Sequence, residues 1–222
     1  MGIIENLEVL GKQLNPAVRL VAVSKTVPVD EMLITYNAGV KIFGENKVQE
    51  ITSKQPLLPN DIEWHFIGHL QTNKVKYIVP FINMIHSIDS LKLLTEVNRQ
   101  ASKVNRVIDC LFQFHIAAEE TKFGLDFNEA CSILISGDYR EMKNVRICGV
   151  MGMATFTTDL EVCRKEFRNL KVIFDRLKSE YFQTEPCFKE ISMGMTGDYS
   201  VAIEEGSTLV RIGTALFGNR NY

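Results

Sequence analysis

The feature that most constrains this chain is an alternation. Eight short apolar runs are separated, one after another, by stretches whose apolar residues recur at helical spacing. The runs lie near residues 19–24, 41–44, 62–67, 83–88, 107–116, 145–151, 188–193 and 208–212. Between them the periodicity predicts helices near 29–38, 46–54, 73–80, 90–103, 126–136, 159–181 and 198–205. An additional helix is predicted at the start. Ile3, Ile4, Leu7, Leu10 and Leu14 share one face, and Asn15-Pro16 ends it, so residues 1–16 read as a helix packed on the body of the domain. Pro28 can open the first crossover helix, Gly39 can stop it, Asp159 can cap the long helix after Thr157-Thr158, and Pro56 and Pro59 mark a loop.

Every connection between strands is long enough to hold a helix, which is what parallel pairing requires. The economical way to satisfy eight such strands is a closed α/β barrel, the (β/α)8 or TIM barrel, as a single domain over residues 1–222. The alternative is an open doubly wound sheet. No Gly-x-Gly-x-x-Gly follows the first strand to favour it.

Composition removes several classes of function. The net charge of −2 and the lack of a basic stripe leave no footprint for nucleic acid. The most apolar stretch, Val107 to Ala118, is broken by Asp109, Gln113 and His115, so no membrane span is expected. The opening residues lack a signal peptide's cationic start and apolar core, and position 6 lacks the Ser or Thr that myristoylation requires. Five scattered cysteines (Cys110, Cys131, Cys148, Cys163, Cys187) fit neither a disulfide framework nor a zinc site, and point to reduced thiols in a cytoplasm.

Chemistry is expected where barrel strands end. Lys25 follows the first apolar run, Arg19 to Ser24. A lysine there is either a solvated strand-terminal residue or an amine stripped of part of its hydration, and a neutral amine condenses with aldehydes. At the other end of the chain, the loops after the seventh and eighth strands read Ser192-Met193-Gly194-Met195-Thr196-Gly197 and Ile212-Gly213-Thr214-Ala215. The hydroxyls of Ser192, Thr196 and Thr214 can donate to phosphate oxygens, and Gly194 and Gly213 let backbone approach closely. A helix opening near Asp198 would add its amides. Arg211 sits between Val210 and Ile212, on the same strand face as Leu209 and Gly213. A charge in so apolar a run needs a partner. That partner is either a carboxylate, such as Glu190 or Glu204, or a ligand's ring nitrogen or phosphate.

With these residues in place a family resemblance is plain. Ala22-Val23-Ser24-Lys25, Phe43-Gly44-Glu45-Asn46, Trp64-His65-Phe66-Ile67-Gly68-His69-Leu70-Gln71-Thr72-Asn73-Lys74, Ser192-Met193-Gly194-Met195 and Val210-Arg211-Ile212-Gly213-Thr214 resemble the motifs of the YggS/PROSC family of pyridoxal phosphate homeostasis proteins. The fold of that family resembles the barrel domain of alanine racemase. The resemblance implies pyridoxal 5′-phosphate (PLP) held covalently on Lys25 as a Schiff base. It places the phosphate on Ser192 with the amides of Gly213 and Thr214, Arg211 at the pyridine nitrogen, and Asn46 near the ring's substituents. Thr196 stands where many relatives have serine and keeps the hydroxyl. No role is carried onto His69 or His115.

The resemblance further implies a carrier that buffers PLP or delivers it to PLP-dependent apo-enzymes, working as a monomer. A small amino-acid racemase is the rival reading. Racemisation needs an acid or base on each face of the substrate. The alanine racemase family takes the second one, a tyrosine, from an added domain, and the barrel accounts for all the residues here. None of Tyr36, Tyr77, Tyr139, Tyr181, Tyr199 and Tyr222 lies in an apolar strand core. Other signals read more simply. His65 and His69, four apart, fall on a strand and a turn, where two rings do not converge on zinc. Met151 and Met153 either line the pocket or fill core gaps. Glu45 either pairs with Lys25 or rims a loop, and no Gly-x-Ser-x-Gly elbow suggests a hydrolase.

Overall fold

In a computed structural model that describes residues 2–118 and 123–218, eight parallel strands close into a barrel in sequence order. The first half runs α1 (Ile3–Gln13), β1 (Arg19–Val23), α2 (Val29–Asn37), β2 (Ile42–Glu45), α3 (Val48–Lys54) and β3 (Glu63–Phe66). It continues through α4 (Val75–Ile78), β4 (Met84–Ile88), α5 (Leu91–Lys103) and β5 (Ile108–Phe114). The second half runs α6 (Phe127–Ile135), α7 (Gly137–Arg140), β6 (Val145–Gly152), α8 (Leu160–Tyr181) and β7 (Glu190–Ser192). It ends with α9 (Tyr199–Glu204), β8 (Leu209–Ile212) and α10 (Thr214–Phe217). No helix among the described residues is long and apolar enough to cross a membrane.

Local chemistry accounts for several boundaries. Asp159 caps α8, its carboxylate accepting from the Glu161 amide at 3.0 Å. Asp126 and Glu129 form a reciprocal capping box on α6, each bond 2.8 Å long. Gly39 leaves α2 with φ +98. The predicted helix at 73–80 is instead a 3-10 turn, Thr72–Lys74, followed by the single turn of α4. The helix predicted from residue 46 starts at Val48, because the chain bends at Asn46 after β2 and Lys47 is extended. The seventh strand is only three residues long, shorter than the apolar run around it.

Strand alternation divides the core in two. Ala22, Phe43, Trp64, Phe66, Ile85 and Phe112 face outward into the layer beneath the helices. There α8 contributes Cys163, Phe167, Leu170 and Leu177, one stripe at helical spacing. The opposite strand faces meet on the barrel axis as Val21, Ile42, Met84, Leu111, Cys148, Met151 and Leu209. Helix α1 lies against α10, with the Asn6 amide donating to the Leu216 carbonyl at 2.9 Å. Closure rests on β1 and β8, paired from Arg19↔Leu209 to Ala22↔Ile212.

The register between β5 and β6 slips by one residue, Cys110 facing Ile147 and Leu111 facing Gly149. At this bulge Gly149 has φ +153, and a Cβ there would lie 1.8 Å from the Glu190 carbonyl oxygen. That neighbour is backbone of β7 and cannot swing aside. Gly149→Ala should therefore cost about 3–5 kcal/mol, or prevent folding, as read from urea unfolding; a loss under about 1 kcal/mol would show that the barrel can shift there.

The axis also carries a polar chain. His65 Nδ1 lies 2.9 Å from His86 Nε2, and His86 Nδ1 lies 2.9 Å from Ser192 Oγ. Both rings are buried. Burial, with Arg19 nearby, holds His65 down to about 3. Burial, His65, Arg211 and Arg19 hold His86 well below its ordinary range. The unfolded chain thus takes up protons below about pH 6.5 that the folded barrel refuses. Stability is whole above that pH and declines as pH falls through it, by about 1.4 kcal/mol per pH unit for each histidine. Urea midpoints at pH 7.5, 6 and 5 should fall more steeply for the wild type than for His86→Gln, and parallel curves would overturn this account.

Candidate functional site

In a parallel barrel all strands end on one face, and here that face holds a cavity of 380 Å³. Its wall is built from the residues that leave the strands. Val23 ends β1 and Lys25 follows it, Asn46 follows β2 and Ile67 follows β3. Met153 to Thr157 follow β6, Met195 to Asp198 follow β7, and Gly213 and Thr214 follow β8 beside Arg211. Residues from the two ends of the chain thus share one cavity because β1 and β8 are neighbours.

Arg211 lies on the inner face of β8, almost wholly buried. Its Nη1 donates to the Ser192 carbonyl at 2.7 Å and the Ser192 hydroxyl at 2.6 Å, and its Nη2 donates to the Gly152 carbonyl at 3.0 Å. Neither carboxylate expected from sequence reaches it. Glu190 pairs with Arg19 at 2.7 Å at the opposite mouth, where β7 begins, and Glu204 on α9 pairs with Arg164 at 2.7 Å. Burial brings the guanidinium down to about 10, with Asp198 pulling the other way. It is charged at neutral pH and acts only as a donor.

Of the candidate residues, Lys25, Asn46, Thr196, Arg211, Gly213 and Thr214 line the cavity. Ser192 and Gly194 do not. Ser192 ends the three-residue β7 with its side chain on the barrel axis, fully buried between Arg211 and His86. Gly194 has φ +93, and a Cβ there would meet the Ala202 Cβ at 2.6 Å, so its freedom serves packing against α9. The Thr196 hydroxyl accepts from the Ala215 amide at 3.3 Å, tying the β7 loop to the β8 loop. Helix α9 has only six residues, and the carboxylate of Asp198 before it accepts from the Met195 amide at 2.5 Å. Residues given no role by sequence reasoning are Ile67 and the Ala154–Thr157 loop, whose Phe156 is 97% exposed, while Asp198, expected only as a helix opening, brings a carboxylate to the wall. Their position just beyond strand ends was the available signal.

Glu45 takes neither predicted role. It is fully buried, and its Oε1 accepts from the Ser24 hydroxyl at 2.7 Å and from Lys54 Nζ at 2.8 Å. Burial raises its carboxyl while Lys54 opposes the shift. Met153 lines the cavity, whereas Met151 belongs to the inner core. His65 and His69 separate as expected. His69 stacks on Phe123 and pairs with Asp89 at 3.2 Å. Among the described residues no His, Cys, Asp and Glu cluster could hold a metal ion.

At the opposite mouth lies a second cavity of 440 Å³. There Arg19 pairs with Glu190 and Arg146 with Asp109 at 2.6 Å, while Arg106 donates to the Val79 and Ile82 carbonyls. That mouth is a ring of ion pairs at the strand starts. The first cavity instead gathers an amine, a guanidinium, four threonines, the Asp198 carboxylate and the amide of Asn46, whose Oδ1 is buried without a hydrogen-bond partner. That donor set suits a small anionic ligand with a polar ring.

Comparison with known proteins agrees in sequence and in fold. The family described as "Alanine racemase, N-terminal domain" matches residues 2–221. A pyridoxal phosphate homeostasis protein of Aquifex aeolicus (strain VF5) is 43% identical over 206 residues, covering 92% of this chain and 88% of that protein. The solved structure of PipY from Synechococcus elongatus PCC7942 without PLP is 34% identical, with a TM-score of 0.90 over 97% of this chain and 100% of that one. The same protein with PLP bound has a TM-score of 0.87. Both the matched sequence span and the shared barrel place this chain in the family of pyridoxal phosphate homeostasis proteins.

Proposed function

We propose that this protein binds pyridoxal 5′-phosphate in the cavity at the strand ends, attached to Lys25, and buffers the cofactor or hands it to apo-enzymes. The observation that carries the reading is the meeting of Lys25, Arg211, Thr196, Gly213 and Thr214 in one cavity. The bound form of PipY, a relative of similar fold, adds support.

When bound, the cofactor supplies an aldehyde carbon that an amine attacks with loss of one water, a linkage that water reverses. Lys25 would supply the amine. Thr196, Thr214 and the backbone of Gly197 and Gly213 would hold the phosphate, and the Asn46 amide would meet a polar substituent of the ring. Arg211 would donate to the ring nitrogen. Ser192 would act one layer below, fixing Arg211, and Gly194 would let its loop turn toward the seat.

Two features favour a carrier over an enzyme. A charged arginine keeps the ring nitrogen an unprotonated acceptor, which weakens the ring as an electron sink and disfavours carbanion chemistry. Amino-acid racemisation also needs a second acid or base opposite the lysine. No tyrosine, histidine or cysteine among the described residues lines the cavity, and the carboxylate that does, Asp198, accepts from the Met195 amide. Tyr36 bonds to Asp61 at 2.5 Å and Tyr199 to Gln13, both away from it. Tyr222 lies outside the described residues.

Protein loaded with PLP and reduced with borohydride should carry the adduct on Lys25 by peptide mass spectrometry. Lys25→Ala should lose both the adduct and the visible absorbance; an adduct retained elsewhere would move the attachment point. Incubated with L-alanine, the loaded protein should form no more D-alanine than free PLP does. Sustained turnover by clean protein would establish the racemase reading.

A further inference from the structure

The backbone on both sides of Lys25 is gripped by side chains from α3. The Ser24 carbonyl accepts from Lys54 Nζ at 2.7 Å, and the Thr26 amide donates to Glu50 Oε1. Lys54 also pairs with Glu50 at 2.5 Å and with Glu45 at 2.8 Å. Glu45 in turn holds the Ser24 hydroxyl at 2.7 Å. The Val27 amide closes the turn onto the Ser24 carbonyl at 2.9 Å. Two carboxylates therefore share one ammonium, and together the three side chains hold the peptide groups just before and just after Lys25.

The turn needs holding. Thr26 has φ +61, in the left-handed region that a β-branched residue occupies only under constraint. The cluster is also costly to bury, since Glu45 is wholly buried and Lys54 is 8% exposed. Buried ion pairs seldom stabilise a protein more than apolar residues of the same size would, whereas they do impose one geometry. Without Lys54, the carboxylates of Glu45 and Glu50 would repel each other. Glu50 lies nearer solvent and would swing outward, releasing the Thr26 amide and letting the turn relax.

We infer that Lys54 is a positioning residue for Lys25: with Glu45 and Glu50 it locks the left-handed turn so that the lysine side chain is presented to the cavity. The inference deepens the cofactor reading above and rests on it for the identity of the group that Lys25 meets.

The test compares the full-length wild type with Lys54→Met, Glu50→Ala and Glu50→Gln, the last keeping an acceptor for the Thr26 amide. In protein without cofactor, amide hydrogen exchange at Thr26 and Val27 should accelerate about tenfold in Lys54→Met and Glu50→Ala, the factor for losing one charge-assisted hydrogen bond. Exchange in β5 and β6 should not change, and Glu50→Gln should stay near wild type. On adding PLP, borohydride-fixed linkage to Lys25 should form at least about tenfold more slowly in the first two variants and recover in Glu50→Gln. Unchanged exchange at Thr26 would show that the cluster does not hold the turn. Faster exchange with linkage at the wild-type rate would reduce the cluster to a structural role. Should Lys54→Met fail to fold, the two Glu50 variants decide both points. A wild type that forms no linkage would defeat the cofactor reading, and the exchange measurement would still judge the lock.

Discussion

The pairing of β1 with β8 is the constraint on which the rest of the molecule depends. In an open sheet those strands would be opposite edges, and Lys25 and Thr214 would stand far apart. Closure sets Val21 beside Arg211 and Ala22 beside Ile212, so the residues that follow each strand share one rim. The cavity then needs no long loops. It uses the first residues past strands that the barrel already holds in place, and a site borne on strand ends inherits their rigidity.

Two buried cations show how differently the fold treats charge. Arg211 is solvated by neutral groups: two carbonyls and a hydroxyl. Its positive charge is left uncancelled within that shell and is available to whatever occupies the cavity. Lys54 is instead surrounded by carboxylates, so its charge is neutralised within the cluster. The first arrangement preserves a field for a ligand. The second preserves a shape.

Much of this was legible in the chain, and the parts that were not have physical causes. Period-two alternation put Arg211 on the face of Leu209, strand ends pointed to Lys25 and Gly213, and the family resemblance added Asn46. Ser192 lies inside the expected seventh run, but its place on the axis between His86 and Arg211 follows from the closed register and not from its position before the loop. The partners of Arg211 and Glu45 were not readable. Each depends on which side chains the closed register brings across the barrel, a non-local matter with no signature in spacing. The broken helix at α4 and the short α10 fell below the length at which periodicity is informative.

The histidine chain along the axis has one more consequence. A neutral imidazole gives a hydrogen at one nitrogen and takes one at the other, so His65 and His86 can be arranged in only two mutually consistent ways. Changing one ring obliges the other to change, and with it the hydroxyl that touches Arg211. Two ring tautomers and one hydroxyl rotor thus form a single coupled unit at the centre of the barrel.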